Sequence, residues 1–173
     1  MKKYDVTALG EILIDFTFAG KSEDGKNIYE ENIGGAPANV AAAIAKCGGK
    51  SAFIGMTGDD SFGNDCRNCL KTLGVETKGM RITKTQHTSL AFDSLDENGD
   101  RHFSFCRNPG ADTQLSVEDL DSELLENTKI LHIGSLSLTN EPAKSATLQA
   151  IKKVKEKGHI PFPVSKHILY HGA

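Results

Sequence analysis

The strongest constraint on this chain is an alternation of two periodicities. Short apolar runs at Lys50–Met56 and Lys129–Gly134 carry no helical repeat and read as buried strands, and Tyr4–Phe18 reads as a buried strand running into a more exposed one. Between and after them come helical segments. Ala36–Lys46 is rich in alanine and stopped by Gly48-Gly49. A second runs to Leu73 from a cap at Asp60 or Ser61, and Gly74 ends it. A third, amphipathic, covers Glu141–Lys157 before Gly158. A shorter helix is expected over Val117–Leu125. Strands that alternate with helices imply a parallel sheet with crossover helices, an α/β fold.

Two stretches break the alternation. Asn27–Ile33 is a short, half-polar strand, and Thr88–Arg107 reads as two strands joined by a turn at Asp96-Glu97-Asn98-Gly99. Together they suggest a small antiparallel sheet grafted on the α/β body and able to act as a lid. The lid segments span about residues 12–33 and 88–107.

Composition narrows the function classes. Twenty basic residues against 23 acidic ones leave a net charge of −3, which argues against nucleic acid and against an anionic membrane surface as partners. No apolar run approaches the length of a membrane span, and no signal-peptide core follows Met1, so a cytoplasmic protein is expected. Cys66-x-x-Cys69 has no second ligand pair for zinc. With Leu70 and Leu73 it falls at i, i+3, i+4 and i+7, the spacing of a buried helix stripe, so no metal site is expected.

Some motifs fail on context. Gly48-Gly49-Lys50-Ser51 resembles the end of a phosphate loop, but Ile44 stands where its first glycine belongs, and a helix closes there instead of opening. Gly134-Ser135 lacks the flanking pattern of a nucleophile elbow. His132, inside an apolar run, reads as a satisfied core histidine.

One motif holds. Gly34-Gly35-Ala36-Pro37-Ala38-Asn39 sits at a strand-to-helix junction, with Gly48 and Gly58 at set distances behind it. Two glycines allow positive φ and close approach of a ligand. Pro37 suits a first helical turn. Asn39 then presents an amide that both donates and accepts near a helix N-terminus. A plain glycine turn before an alanine-rich helix would explain the glycines but not the joint spacing.

From Gly34 to Gly58 the residues resemble the N-terminal signature of the ribokinase-like, or PfkB, carbohydrate kinases. Gly10-Glu11-Ile12-Leu13-Ile14-Asp15-Phe16 is similar to that family's first strand. Ser104-Phe105-Cys106-Arg107-Asn108-Pro109-Gly110-Ala111-Asp112 and His132-Ile133-Gly134-Ser135-Leu136 resemble its fructokinase branch. The resemblance implies a three-layer ribokinase-like fold with a β lid and ATP-dependent phosphorylation of a sugar, fructose to fructose 6-phosphate. Alternative substrates are 2-keto-3-deoxygluconate and a riboside. It also implies the sugar contacts. Asp15 and Asn39 would hydrogen-bond hydroxyls, Gly34 and Gly35 would approach the sugar and hinge the lid, and Arg107 would reach the site from the lid. Structurally, Asp15 could equally be a strand-end turn residue and Arg107 a member of a surface ion pair. Cys106 stands where the fructokinase pattern has tyrosine, which bears on affinity and substrate identity. The lid is also a common dimer surface in that family.

The same resemblance implies ATP and Mg²⁺, yet neither site is complete in these residues. The family's Gly-Ala-Gly-Asp segment, its anion hole and catalytic base, does not occur, so no catalytic residue is expected in this chain. An Asp-x-Asn-x-Arg strand is expected near Ile160, where the chain reads Pro161-Phe162-Pro163-Val164. The last fifteen residues hold three of six histidines, two of five prolines and no Asp or Glu. The expectation is therefore an N-terminal part of a sugar kinase domain at residues 1–158, followed by an aberrant tail at 159–173, out of frame after a frameshift. Such a chain would lack kinase activity alone. A non-catalytic reading is a fragment that binds sugar or associates with a full-length homologue, and a third is a gene product without function.

Overall fold

Parallel strands buried on both faces organise the chain. The structure is a computed structural model that describes residues 2–95, 101–158 and 160–164. The turn expected at Asp96–Gly99, His159 and the tail from Ser165 onward lie outside the described residues.

Five strands form the main sheet: β1 (Tyr4–Leu9), β4 (Ser51–Gly58), β5 (Glu76–Thr83), β8 (Thr128–Gly134) and β9 (Ile160–Val164). Their order is β5-β4-β1-β8-β9, and every neighbouring pair is parallel. Every residue of β4 is buried, as a strand covered on both faces requires. The covering helices are α1 (Ala36–Lys46) and α2 (Ser61–Thr72) on one face, α3 (Ser122–Glu126) and α4 (Ala143–Glu156) on the other. On the α1/α2 face, Ala38, Ala41, Cys66 and Leu70 pack on Ala8, Phe53 and Met80. On the opposite face, Ala146, Ala150 and Val154 of α4 pack on Leu131, Ile133 and Ile54.

The second sheet is the lid, in order β3-β2-β6-β7, with β2 at Leu13–Lys21, β3 at Asn27–Gly34, β6 at Leu90–Leu95 and β7 at Arg101–Cys106. The β2/β3 and β6/β7 pairs are antiparallel, and the seam between them, β2/β6, is parallel. Phe16 stacks on Phe92 at 5.0 Å across that seam and meets Phe62 of α2 edge-on at 5.8 Å, so aromatic contacts tie lid to body.

The first apolar stretch divides as expected into a buried strand and a more exposed one, with Gly10 at φ 150° where the chain leaves the main sheet for the lid. Other boundaries differ from those expected. The strand β5 went unforeseen because only Met80 and Ile82 give it apolar character at alternate positions. The helix expected at Val117–Leu125 is a single 3-10 turn at Val117–Asp119 followed by α3. Two prolines in β9 are compatible with its place at the edge of the described sheet.

The Cys66/Cys69 stripe lies on α2 as its spacing indicated. Cys66 is fully buried, and burial pushes its thiol up to about 12. Among the described residues no group of three or more His, Cys, Asp or Glu could hold a metal. At neutral pH a thiol reagent is expected to label the exposed Cys47 and Cys106 rapidly and Cys66 only after denaturation. Labelling of Cys66 as fast as Cys47 in the native state would contradict this packing. No helix among the described residues is long and apolar enough to cross a membrane.

Candidate functional site

Strand order changes direction at β1. The chain passes from β1 through α1 to β4 on one side, and from β8 through α4 to β9 on the other. Crevices at such switch points, beyond the carboxyl ends of the strands, are the usual ligand sites of open α/β sheets. Here the lid joins the body at that crevice. Residues 10–12 carry the chain from β1 into β2, and Gly34-Gly35 return it from β3 into α1.

Gly35 has φ 107° and ψ 122°, a conformation that L side chains rarely adopt. A Cβ there would lie 2.5 Å from the Glu11 carbonyl oxygen and 2.9 Å from Ile12 Cα. The two chain segments therefore touch backbone to backbone, and only glycine permits it. At Gly34 the backbone is ordinary, but an added Cβ would overlap the Asp15 carboxylate. Asp15 sits half-buried on β2, opposite Asn32 of β3, with its carboxylate laid against Gly34. Gly34→Ala is thus expected to push the carboxylate aside with little loss of fold. Chemical denaturation should show a change below about 1 kcal/mol, because the obstacle is a movable side-chain end. A larger loss would mean that the carboxylate cannot swing away.

Helix α1 opens with Pro37 in its first turn, and the Asn39 amide nitrogen closes that turn on the Gly35 carbonyl at 2.9 Å. Asn39 itself is exposed, one turn in from the helix start. Asp15, Gly34, Gly35 and Asn39 are thus gathered at one junction by β2, β3 and α1.

Arg107 reaches the crevice from the other side of the lid. It follows β7 and is held rigidly. Its Nε donates to Asp112 Oδ2 at 2.8 Å, and Nη2 lies 2.7 Å from the same oxygen. Nη2 also donates to the Leu136 carbonyl just past β8, at 3.2 Å. The Nη1 donors have no partner among the described residues. The pair is not a surface one: the Arg107 side chain is 11% exposed and that of Asp112 2%. Ser89 donates to the remaining Asp112 oxygen at 2.5 Å.

Two groups at this crevice were not singled out from sequence. Asp112 orients Arg107, and its signal was a carboxylate five residues after an arginine across a Pro-Gly turn. Glu11 is 3% exposed, and burial raises its carboxyl above the usual range, with Asp112 adding to the rise and Arg107 opposing it. His132 lies in the core as expected and burial holds it toward neutrality, but its Nε2 has no partner among the described residues, so it is not satisfied there.

Among the described residues no acidic cluster could hold a metal, the sequence contains no Gly-Ala-Gly-Asp segment, and no phosphoryl-transfer step is assigned to these residues.

Known proteins resemble this chain in sequence and fold. The potato (Solanum tuberosum) fructokinase is 44% identical over 155 residues, covering 88% of this chain and 49% of the relative. An Arabidopsis thaliana protein described as "probable fructokinase-6, chloroplastic" is 47% identical over 157 residues, covering 90% of this chain and 41% of the relative. The crystal structure of a Xylella fastidiosa fructokinase superposes with a TM-score of 0.88 at 34% identity, covering 92% of this chain and 50% of that one. A second structure of that enzyme holds ATP. The chain therefore spans about half the length of the relatives it matches. The profile described as pfkB family carbohydrate kinase matches residues 3–166, which take in the whole junction of lid, glycine pair and α1. With the sequence match and the fold in agreement, this chain belongs to the pfkB family of carbohydrate kinases.

Proposed function

We propose that this chain provides the sugar-binding half of a fructokinase, in which ATP is the phosphate donor. The observation that carries the reading is the junction at Gly34-Gly35, where the Asp15 carboxylate lies against Gly34 and α1 begins, with Arg107 held to the Leu136 carbonyl just past β8. A sugar exposes several hydroxyls, each both donor and acceptor. Reading them takes an acceptor-only carboxylate, a two-way amide and a cationic donor at fixed positions. Asp15 accepts, Asn39 does both, and Arg107 donates through Nη1. The fructokinases among the relatives support fructose as the sugar.

Phosphate transfer itself needs groups beyond those described above. The 173 residues hold no Gly-Ala-Gly-Asp segment, so the chain on its own is expected to transfer no phosphate from ATP to fructose. Titration with fructose, 2-keto-3-deoxygluconate and a riboside tests the substrate. Fructose is expected to bind at least tenfold more tightly than the others, a difference of about 1.4 kcal/mol. Tighter binding of the riboside would overturn the fructokinase reading within the family.

A further inference from the structure

Glu11 occupies the centre of the switch-point crevice and makes a contact set that a simple helix cap does not need. Its carbonyl oxygen packs on Gly35, whose Cβ would lie 2.5 Å away. Its Oε1 accepts from the Ala36 amide nitrogen at 3.3 Å. Its Oε2 reaches the end of β8, where a Cβ on Gly134 would lie 2.5 Å from it. Two glycines on different elements thus leave room for this one residue, Gly35 for its backbone and Gly134 for its carboxyl. The cap position of α1, Gly35, makes no side-chain hydrogen bond, so Glu11 serves that end from outside the helix.

Capping one amide uses one oxygen. The second, Oε2, is buried without a hydrogen-bond partner among the described residues. A buried orphan oxygen is costly, and capping does not account for it. The surrounding charges bear on its form. Asp112 and Arg107 face it from the segment after β7, α1 contributes no acid in its first turn, β2 carries Asp15 nearby in sequence, and β8 carries His132 two residues before Gly134. Burial, with Asp112 adding to it, outweighs the backbone amides of Glu11 and Ala36 and the Arg107 charge, which favour the ionised form, so the carboxyl is raised above its ordinary range.

We propose that Glu11 is a positioning residue of the sugar site: its carboxyl, wedged between Gly134 and the first turn of α1, sets the placement of Gly35, Ala36 and Asn39. The sugar part of this inference rests on the fructose-binding reading above; the anchoring of α1 does not. Anchoring is complete where Glu11 is protonated and weakens as pH rises through its elevated value, because the folded protein then holds a proton that the unfolded chain has released.

The test uses the whole chain, Glu11→Gln and Glu11→Ala, with fructose titrations across pH and the Ala36 amide followed by NMR without sugar. Glutamine keeps the acceptor and supplies a donor at every pH. Wild type is expected to lose about tenfold in affinity as Glu11 ionises, and Glu11→Gln to keep the low-pH affinity within about threefold, flat in pH. The Ala36 amide shift should titrate in wild type and not in Glu11→Gln. Glu11→Ala should bind about tenfold more weakly at low pH, and if it does not fold, the glutamine variant still decides. An Ala36 amide that does not titrate, or equal fructose affinity in all three proteins at all pH values, overturns the proposal. If the amide titrates while no protein binds fructose, the sugar reading fails and the anchoring of α1 stands.

Discussion

Asp112→Ala is expected to destabilise the chain by about 3–5 kcal/mol, the range for removing one partner of a buried ion pair. Both Asp112 oxygens are committed, one to Arg107 Nε and Nη2 and the other to Ser89. Without them the guanidinium stays buried with the Leu136 carbonyl as its partner among the described residues. That loss is a large share of the roughly 5–15 kcal/mol that typically holds a domain together, so the urea midpoint should fall sharply. Replacing both members with apolar side chains, Arg107→Met with Asp112→Leu, removes the stranded charge. The double variant is expected to be at least 1 kcal/mol more stable than Asp112→Ala, while fructose affinity is lost in both. A double variant less stable than the single one would show that the pair stabilises the fold beyond neutralising its own burial.

Gly35→Ala is the second large effect. The backbone at φ 107° strains any L side chain by about 1–3 kcal/mol. The contact adds to this, because the obstructing atoms are Glu11 carbonyl oxygen and Ile12 Cα, which move only if the lid connection moves. A loss of about 3 kcal/mol or more is expected, together with loss of sugar binding. Gly25→Ala is the control for strain alone: its φ is 75° and nothing lies within 4 Å of an added Cβ, so about 1 kcal/mol is expected. Comparable losses at Gly25 and Gly35 would mean that the close approach of the two segments contributes nothing.

The parts of the fold set by local chemistry were readable in the sequence. Helices α1 and α2 follow from alanine content, the Asp60 cap and the glycine stops, and their apolar stripe predicts the face that packs on Ala8 and Phe53. Features set by distant pairing were not. The parallel seam between β2 and β6 pairs residues 76 positions apart, such as Ile14 with Leu90, and nothing local distinguishes it from an antiparallel one. The edge strand β5 lacks the apolar alternation that would announce it. At the crevice, the glycine pair announced itself because backbone demands restrict a position to one residue type. Glu11 and Asp112 did not, because a carboxylate outside a regular apolar pattern reads as solvated until the topology buries it.

The central claim is that these residues bind fructose through Asp15. Calorimetric titration of the folded chain with fructose, beside Asp15→Ala, tests it most directly. The account predicts saturable binding at one site and a loss of about 10- to 100-fold in Asp15→Ala with an unchanged fold, the effect of removing a charge-assisted hydrogen bond. Equal affinity in the two proteins, or no binding by a folded wild-type chain, would contradict it.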